Sequence, residues 1–197
     1  MGMMRYSRFT RFLHALIAVL MILQLSVSLV MEHPHARRAM EPVGLWFFRW
    51  HEYMGITLLV LLAVSWLYRF ATWRREAQGD AFPWLHASGR AALASELKAF
   101  ARLRWNALPE HGALAGTVQG AGLLLGAALA VTGLRLYLLL GPDDSVTQAV
   151  ESLGDIHSAL GNIMWAYLGG HACMALWHQY AGSGTLGAMF SFWKRKG

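Results

Sequence analysis

Ile156-His157-Ser158-Ala159-Leu160-Gly161-Asn162 and, a few turns later, Gly170-His171-Ala172 lie in the last apolar stretch of the chain. Fourteen residues separate the two histidines. At 3.6 residues per turn that is close to four whole turns. On a helix both imidazoles therefore leave the same face, roughly 21 Å apart along the axis. The hydrocarbon core of a bilayer is about 30 Å thick, and an ionisable side chain inside it marks a functional site by default. Two imidazoles on one face, near opposite edges of a membrane, point to two metal sites stacked across it.

The rest of the chain fits a membrane setting. Of 197 residues, 56% are hydrophobic and nine are Trp, and only 14% are charged, against about 25% in a soluble domain. The mean hydropathy is +0.36. Charge is sparse in four long blocks, which predicts spans over 12–31, 46–70, 112–140 and 152–180. The predicted fold is all-α, an integral membrane four-helix bundle forming a single domain over residues 1–197. Each helix needs the others to cover its polar side chains. The first block follows Arg5, Arg8 and Arg11 like a signal peptide. It is too long for a usual apolar region and lacks a convincing cleavage site, so it is read as a retained helix.

The net charge of +6 lies beside apolar spans rather than on one polar face. That argues for topology determinants and against nucleic acid. Thirteen of the 17 Lys and Arg fall in the N-terminus, in 71–111 with Arg69 at its edge, and in the tail Lys194-Arg195-Lys196. Arg37, Arg38, Arg49 and Arg135 belong to the other side, with Asp143, Asp144, Glu151 and Asp155. The positive-inside rule then places both termini in the cytoplasm of a multi-pass inner-membrane protein. Segment 71–111 is too long for a turn. Ser88 is a candidate cap for a short amphipathic helix over 91–105, with Leu93, Leu97, Phe100 and Leu103 on one side and Arg90, Lys98, Arg102 and Arg104 elsewhere. Such a helix would lie on the inner leaflet between helices two and three, or serve as a docking surface.

Cys173 is the single cysteine, so no intrachain disulfide forms. It reads as a small, buried apolar residue. No C-x-x-C-H occurs, which excludes the usual covalent c-type haem attachment. Of nine histidines, His33, His35, His86 and His111 read as connection residues. His14, His51, His157, His171 and His178 lie in or at the edges of spans. Chain direction places His51 and His157 near the outer side, and His14 and His171 further in. Facing His pairs without convergent Cys or carboxylates suit the axial positions of haem iron better than tetrahedral zinc. His51-Glu52-Tyr53-Met54-Gly55 begins like a zinc-protease motif but ends in Gly where the second His should stand.

The residue four after each ligand candidate is small: Ala18, Gly55, Gly161 and Ala175. It lies one turn along the same face, where a flat macrocycle needs room; small residues also serve ordinary membrane-helix contacts. His178 shares the His171 face, and spacing alone leaves both open as the partner of His14. At the interface His178 is a candidate to hold a propionate or a quinone oxygen. Arg49 and Arg135 are candidate partners for haem propionates, with snorkelling to water as the simpler reading.

These residues resemble the bacterial cytochrome b561 family of four-helix dihaem membrane cytochromes. The span-four segments quoted above carry the likeness, together with Ala175-Leu176-Trp177-His178-Gln179-Tyr180, Thr185-Leu186 before Met189, Arg11-Phe12-Leu13-His14, and His51 with Gly55. The resemblance extends over all four spans, although span three contributes little beyond Gly133. It implies His14, His51, His157 and His171 as axial ligands of two haem b groups, which favours His171 over His178. It also implies electron exchange with a quinone, ubiquinone being the expected substrate. In one branch superoxide is oxidised at the outer face and ubiquinone reduced. Segment 71–111 looks more like the b-type subunits that anchor nickel–iron hydrogenases. The expected function is therefore a dihaem cytochrome moving electrons across or within the inner membrane to or from a quinone, with superoxide:ubiquinone oxidoreductase as its enzymatic form. The alternative is a haem-bearing anchor delivering electrons from a dehydrogenase, hydrogenase or cytochrome c partner. A haem-free transporter or structural bundle is the third class.

Overall fold

A computed structural model describes residues 7–31, 41–72, 80–104, 108–109, 112–140, 146–181 and 186. Among these no strand occurs. The elements are α1 (Arg8–Ser28), α2 (Pro42–Thr72), a short 3-10 turn (Pro83–Leu85), α3 (Ala87–Ala101), α4 (Ala113–Leu139) and α5 (Gln148–Tyr180). Each predicted span coincides with a helix, with ends shifted by a few residues. By length and composition α1, α2 and α4 can cross a membrane. At 33 residues α5 is long, but it carries His157, Asn162, His171, His178 and Gln179 and is not apolar enough to join them.

Local chemistry sets the helix ends. Ser7 caps α1, its hydroxyl accepting the Thr10 N–H at 3.0 Å. At the other end Ser26 and Ser28 turn their hydroxyls back onto the carbonyls of Ile22 and Leu25. Pro42 opens α2 at the position where a missing N–H costs nothing. Thr147 precedes α5, and its carbonyl takes the Glu151 N–H.

Contacts divide the chain into two compact units. The first comprises Met1–Arg11, Phe70–Leu124 and Tyr167–Gly197; the second comprises Phe12–Arg69 and Leu125–Ala166. In the first, the 3-10 turn and α3 form one connected piece. Asp80 accepts the Phe82 N–H at 2.9 Å and meets His86 Nε2 at 3.3 Å. Ala81 and Pro83 are almost wholly buried. Gly116 and Gly120 of α4 make this possible, because a Cβ at either would collide with the carbonyl oxygen of Asp80 or Ala81. Both carboxylate oxygens of Glu96 accept the first N–H groups of α4, from Ala113 at 3.0 Å and Leu114 at 2.7 Å. A carboxylate there satisfies orphan donors and complements the helix dipole.

The helix of this segment is α3, so it starts four residues before the expected 91 and ends at Ala101 rather than 105. Its cap position is His86, without a side-chain cap bond, and Ser88 lies within the first turn. The start is set by the preceding 3-10 turn rather than by a serine. Arg104 donates to Ala99 O, and Leu103 to Phe100 O. These bonds close the helix with Leu103 at φ 55°, a left-handed place usually given to Gly.

The core of the second unit gathers Leu13, Met21, Leu25, Leu58, Leu62, Leu129 and Met164. Phe48, Leu140 and Val150 form a separate buried cluster, with Met31, Leu136 and Val146 against it. Gln24 is the one buried polar residue among those described, 8% exposed.

Candidate functional site: two facing imidazoles

In the second unit α2 and α5 bring His51 and His157 together. Their ring centroids are 6.2 Å apart and their planes meet at 87°. These are the two histidines the sequence puts on one level. His157 Nδ1 lies 2.8 Å from the hydroxyl of Thr132 on α4. A Cβ on the next residue, Gly133, would press to 3.2 Å from His157 Cε1. The glycine therefore lets the ring lie close against α4.

His51 is held through its backbone. Gln24 of α1 donates its amide N–H to the His51 carbonyl at 2.9 Å. Gly55 stands against that same amide, with a Cβ there 3.2 Å from Gln24 Nε2. The His51 Nδ1 and Gln24 Oε1 atoms are buried without a hydrogen-bond partner among the described residues. An unsatisfied buried polar atom costs about 1–3 kcal/mol, so such atoms point to a group that completes them.

The pair passes a simple test for a shared ion. A first-row metal binds an imidazole nitrogen at about 2 Å, and that nitrogen is a little over 1 Å from the ring centre. Two imidazoles on opposite sides of one ion are thus roughly 6 Å apart between centroids, as this pair is. Among the described residues no three His, Cys, Asp or Glu side chains form a metal cage. The arrangement offers two nitrogen donors, which suits the axial positions of a macrocycle-bound iron.

Gly161 faces Leu25, and a Cβ there would make ordinary contact at 3.9 Å. Arg49 is exposed, with its guanidinium 3.4 Å from Glu52. Arg135 is exposed near the end of α4. His14 is half-buried on α1 in the second unit. His171 and His178 are half-buried on α5 in the first unit. There the Tyr167 ring stacks on His171 at 5.7 Å and 13°, and the Tyr167 hydroxyl packs where a Cβ of Gly122 would be. Cys173, expected to be buried, is exposed: residues 171, 174, 175 and 178 make the half-buried face of that stretch, and 173 turns away. His33, His35 and His111, with Arg37, Arg38, Asp143, Asp144, Thr185, Met189 and the basic tail, lie outside the described residues.

Gln24, Thr132 and Tyr167 are additions to the sequence reading. Each left a faint signal. Gln24 is the only amide in α1, Thr132 directly precedes Gly133, and Tyr167 stands one helical turn before His171.

A family model described as prokaryotic cytochrome b561 matches residues 5–192. No curated protein and no solved structure matches the chain.

Proposed function

Since the chain belongs to the prokaryotic cytochrome b561 family, a family of b-type membrane electron-transfer proteins, we propose that it carries two haem b groups and passes electrons between them and a quinone. The family match runs through both compact units without a break, which supports one cytochrome b domain. His51 and His157 would hold one haem, at the outer level, and His14 and His171 would hold the other, further in. The carrying observation is the crossed imidazole pair at 6.2 Å.

When bound, haem supplies one-electron chemistry. The chain supplies position and burial. With both imidazoles of a pair holding it, the haem would serve as an electron carrier rather than as a site for a bound substrate. Ubiquinone is the proposed membrane substrate. The basic residue distribution supports an inner-membrane protein of four spans with both termini cytoplasmic, α5 being the fourth. His178 and Arg135 are the proposed propionate or quinone contacts. Arg49 is a weaker one, because its guanidinium already faces Glu52.

A second reading is a haem-bearing anchor for a dehydrogenase, hydrogenase or cytochrome c partner. Its support is α3, which presents exposed Arg90, Lys98, Leu97 and Phe100 on a piece held to α4 by Glu96.

The test is haem content and the reduced-minus-oxidised spectrum of purified His51→Ala and His157→Ala. Each should lose the same one of two haems, about half the total. Loss of two different haems refutes the pairing.

A further inference from the structure

We propose that Thr132 is a positioning residue for the outer haem: its hydroxyl oxygen accepts the Nδ1–H of His157 and so holds the ring in the tautomer whose Nε2 lone pair faces the ligand. The inference rests on reading His51 and His157 as an axial pair.

The hydrogen-bond count carries it. Thr132 Oγ1 lies 2.8 Å from the carbonyl oxygen of Ala128, 3.1 Å from that of Leu129 and 2.8 Å from His157 Nδ1. A threonine hydroxyl has one hydrogen and two lone pairs. The carbonyl oxygens can only accept, so the hydroxyl hydrogen belongs to them, shared between two acceptors as helices often allow. Giving that hydrogen to His157 would leave Oγ1 lone pair to lone pair against both carbonyls. His157 Nδ1 is therefore the donor. A neutral imidazole has one N–H, so its Nε2 keeps a lone pair.

The bond also tunes that lone pair. A hydroxyl that donates is a better acceptor, and an acceptor on the far nitrogen makes a ligating imidazole more basic. A more basic ligand favours oxidised iron. The neighbouring Gly133 keeps the ring within reach of the hydroxyl, since a Cβ there would stand 3.2 Å from Cε1. His51 has no equivalent bond, its Nδ1 being without a hydrogen-bond partner among the described residues. One ligand of the pair is thus oriented through its ring and the other through its backbone.

The experiment is potentiometric titration of the visible spectrum, with low-spin electron paramagnetic resonance, on purified wild type, Thr132→Val, Thr132→Ser and His157→Ala. Valine keeps the shape and removes the acceptor. T132V should retain both haems, raise one midpoint potential and leave the other in place, with a shifted low-spin signal. T132S should behave as wild type. A T132V protein that titrates as wild type overturns the inference, as does T132S shifting like T132V. Should T132V fail to accumulate, Thr132→Ala replaces it in the same comparison with T132S. His157→Ala with unchanged haem content overturns the axial pairing and this inference with it. An unmoved T132V beside a His157→Ala that has lost one haem overturns this inference alone.

Discussion

The two compact units use their polar side chains for different ends. In the second unit, Gln24 and Thr132 reach to the histidines: one takes the His51 carbonyl, the other the His157 ring. In the first unit, Glu96 and Asp80 reach to backbone N–H groups: one caps α4, the other shapes the turn before α3. Glycines divide in the same way. Gly133 and Gly55 make room beside His157 and beside the amide on His51, whereas Gly116 and Gly120 make room for a strap of main chain. A polar atom in an apolar setting must be matched. What it is matched to sets the region that positions histidines apart from the one that builds and anchors a connection.

This contrast can be broken by substitution. The largest effect is expected from Gly120→Leu. The Ala81 carbonyl occupies the place of its Cβ, and main chain yields less readily than a side-chain tip. Overpacking costs about 1–3 kcal/mol, so thermal unfolding of the detergent-solubilised protein should move down clearly or the protein should fail to accumulate. Glu96→Ala removes the α4 cap and should cost about 0.5–2 kcal/mol. Its haem spectrum should stay that of wild type, because Glu96 touches neither histidine of the crossed pair; a changed spectrum would undo the division of labour between the two units.

Gln24→Leu is the counterpart in the second unit. It loses one hydrogen bond, worth about 1 kcal/mol, yet should alter the spectrum or midpoint of one haem because the lost bond holds His51. A stability loss with an unaltered spectrum would reduce Gln24 to a helix clasp. The smallest effect, of opposite sign, is expected from Leu103→Gly. Left-handed backbone costs a non-glycine residue about 1 kcal/mol, so the variant should unfold at a slightly higher temperature with its haems unchanged. Glycine's greater freedom in the unfolded chain offsets part of that gain.

The spans were legible because apolar runs are local: blocks near 12–31, 46–70 and 112–140 each hold enough lipid-compatible residues in a row. Helix ends were less so. α3 begins where the 3-10 turn hands over to it, and its last turn closes on Leu103, a residue no rule of sequence would select for φ 55°. That His51 and His157 come together was legible from chain direction and depth. The exposure of Cys173 was not, because composition says that cysteine is commonly buried but not which face of α5 it shares.

From the residues alone came the helical class, the membrane setting and a short list of imidazoles, all products of local hydrophobicity and a 3.6-residue repeat. Tertiary structure alone decided the angle at which the His51 and His157 rings meet, and that a hydroxyl from a third helix reaches the His157 ring and an amide from a fourth the His51 carbonyl. Those contacts join residues distant in the chain, such as Gln24 with His51 and Thr132 with His157. Periodicity can orient a side chain on its own helix, but only packing between helices determines what that side chain touches.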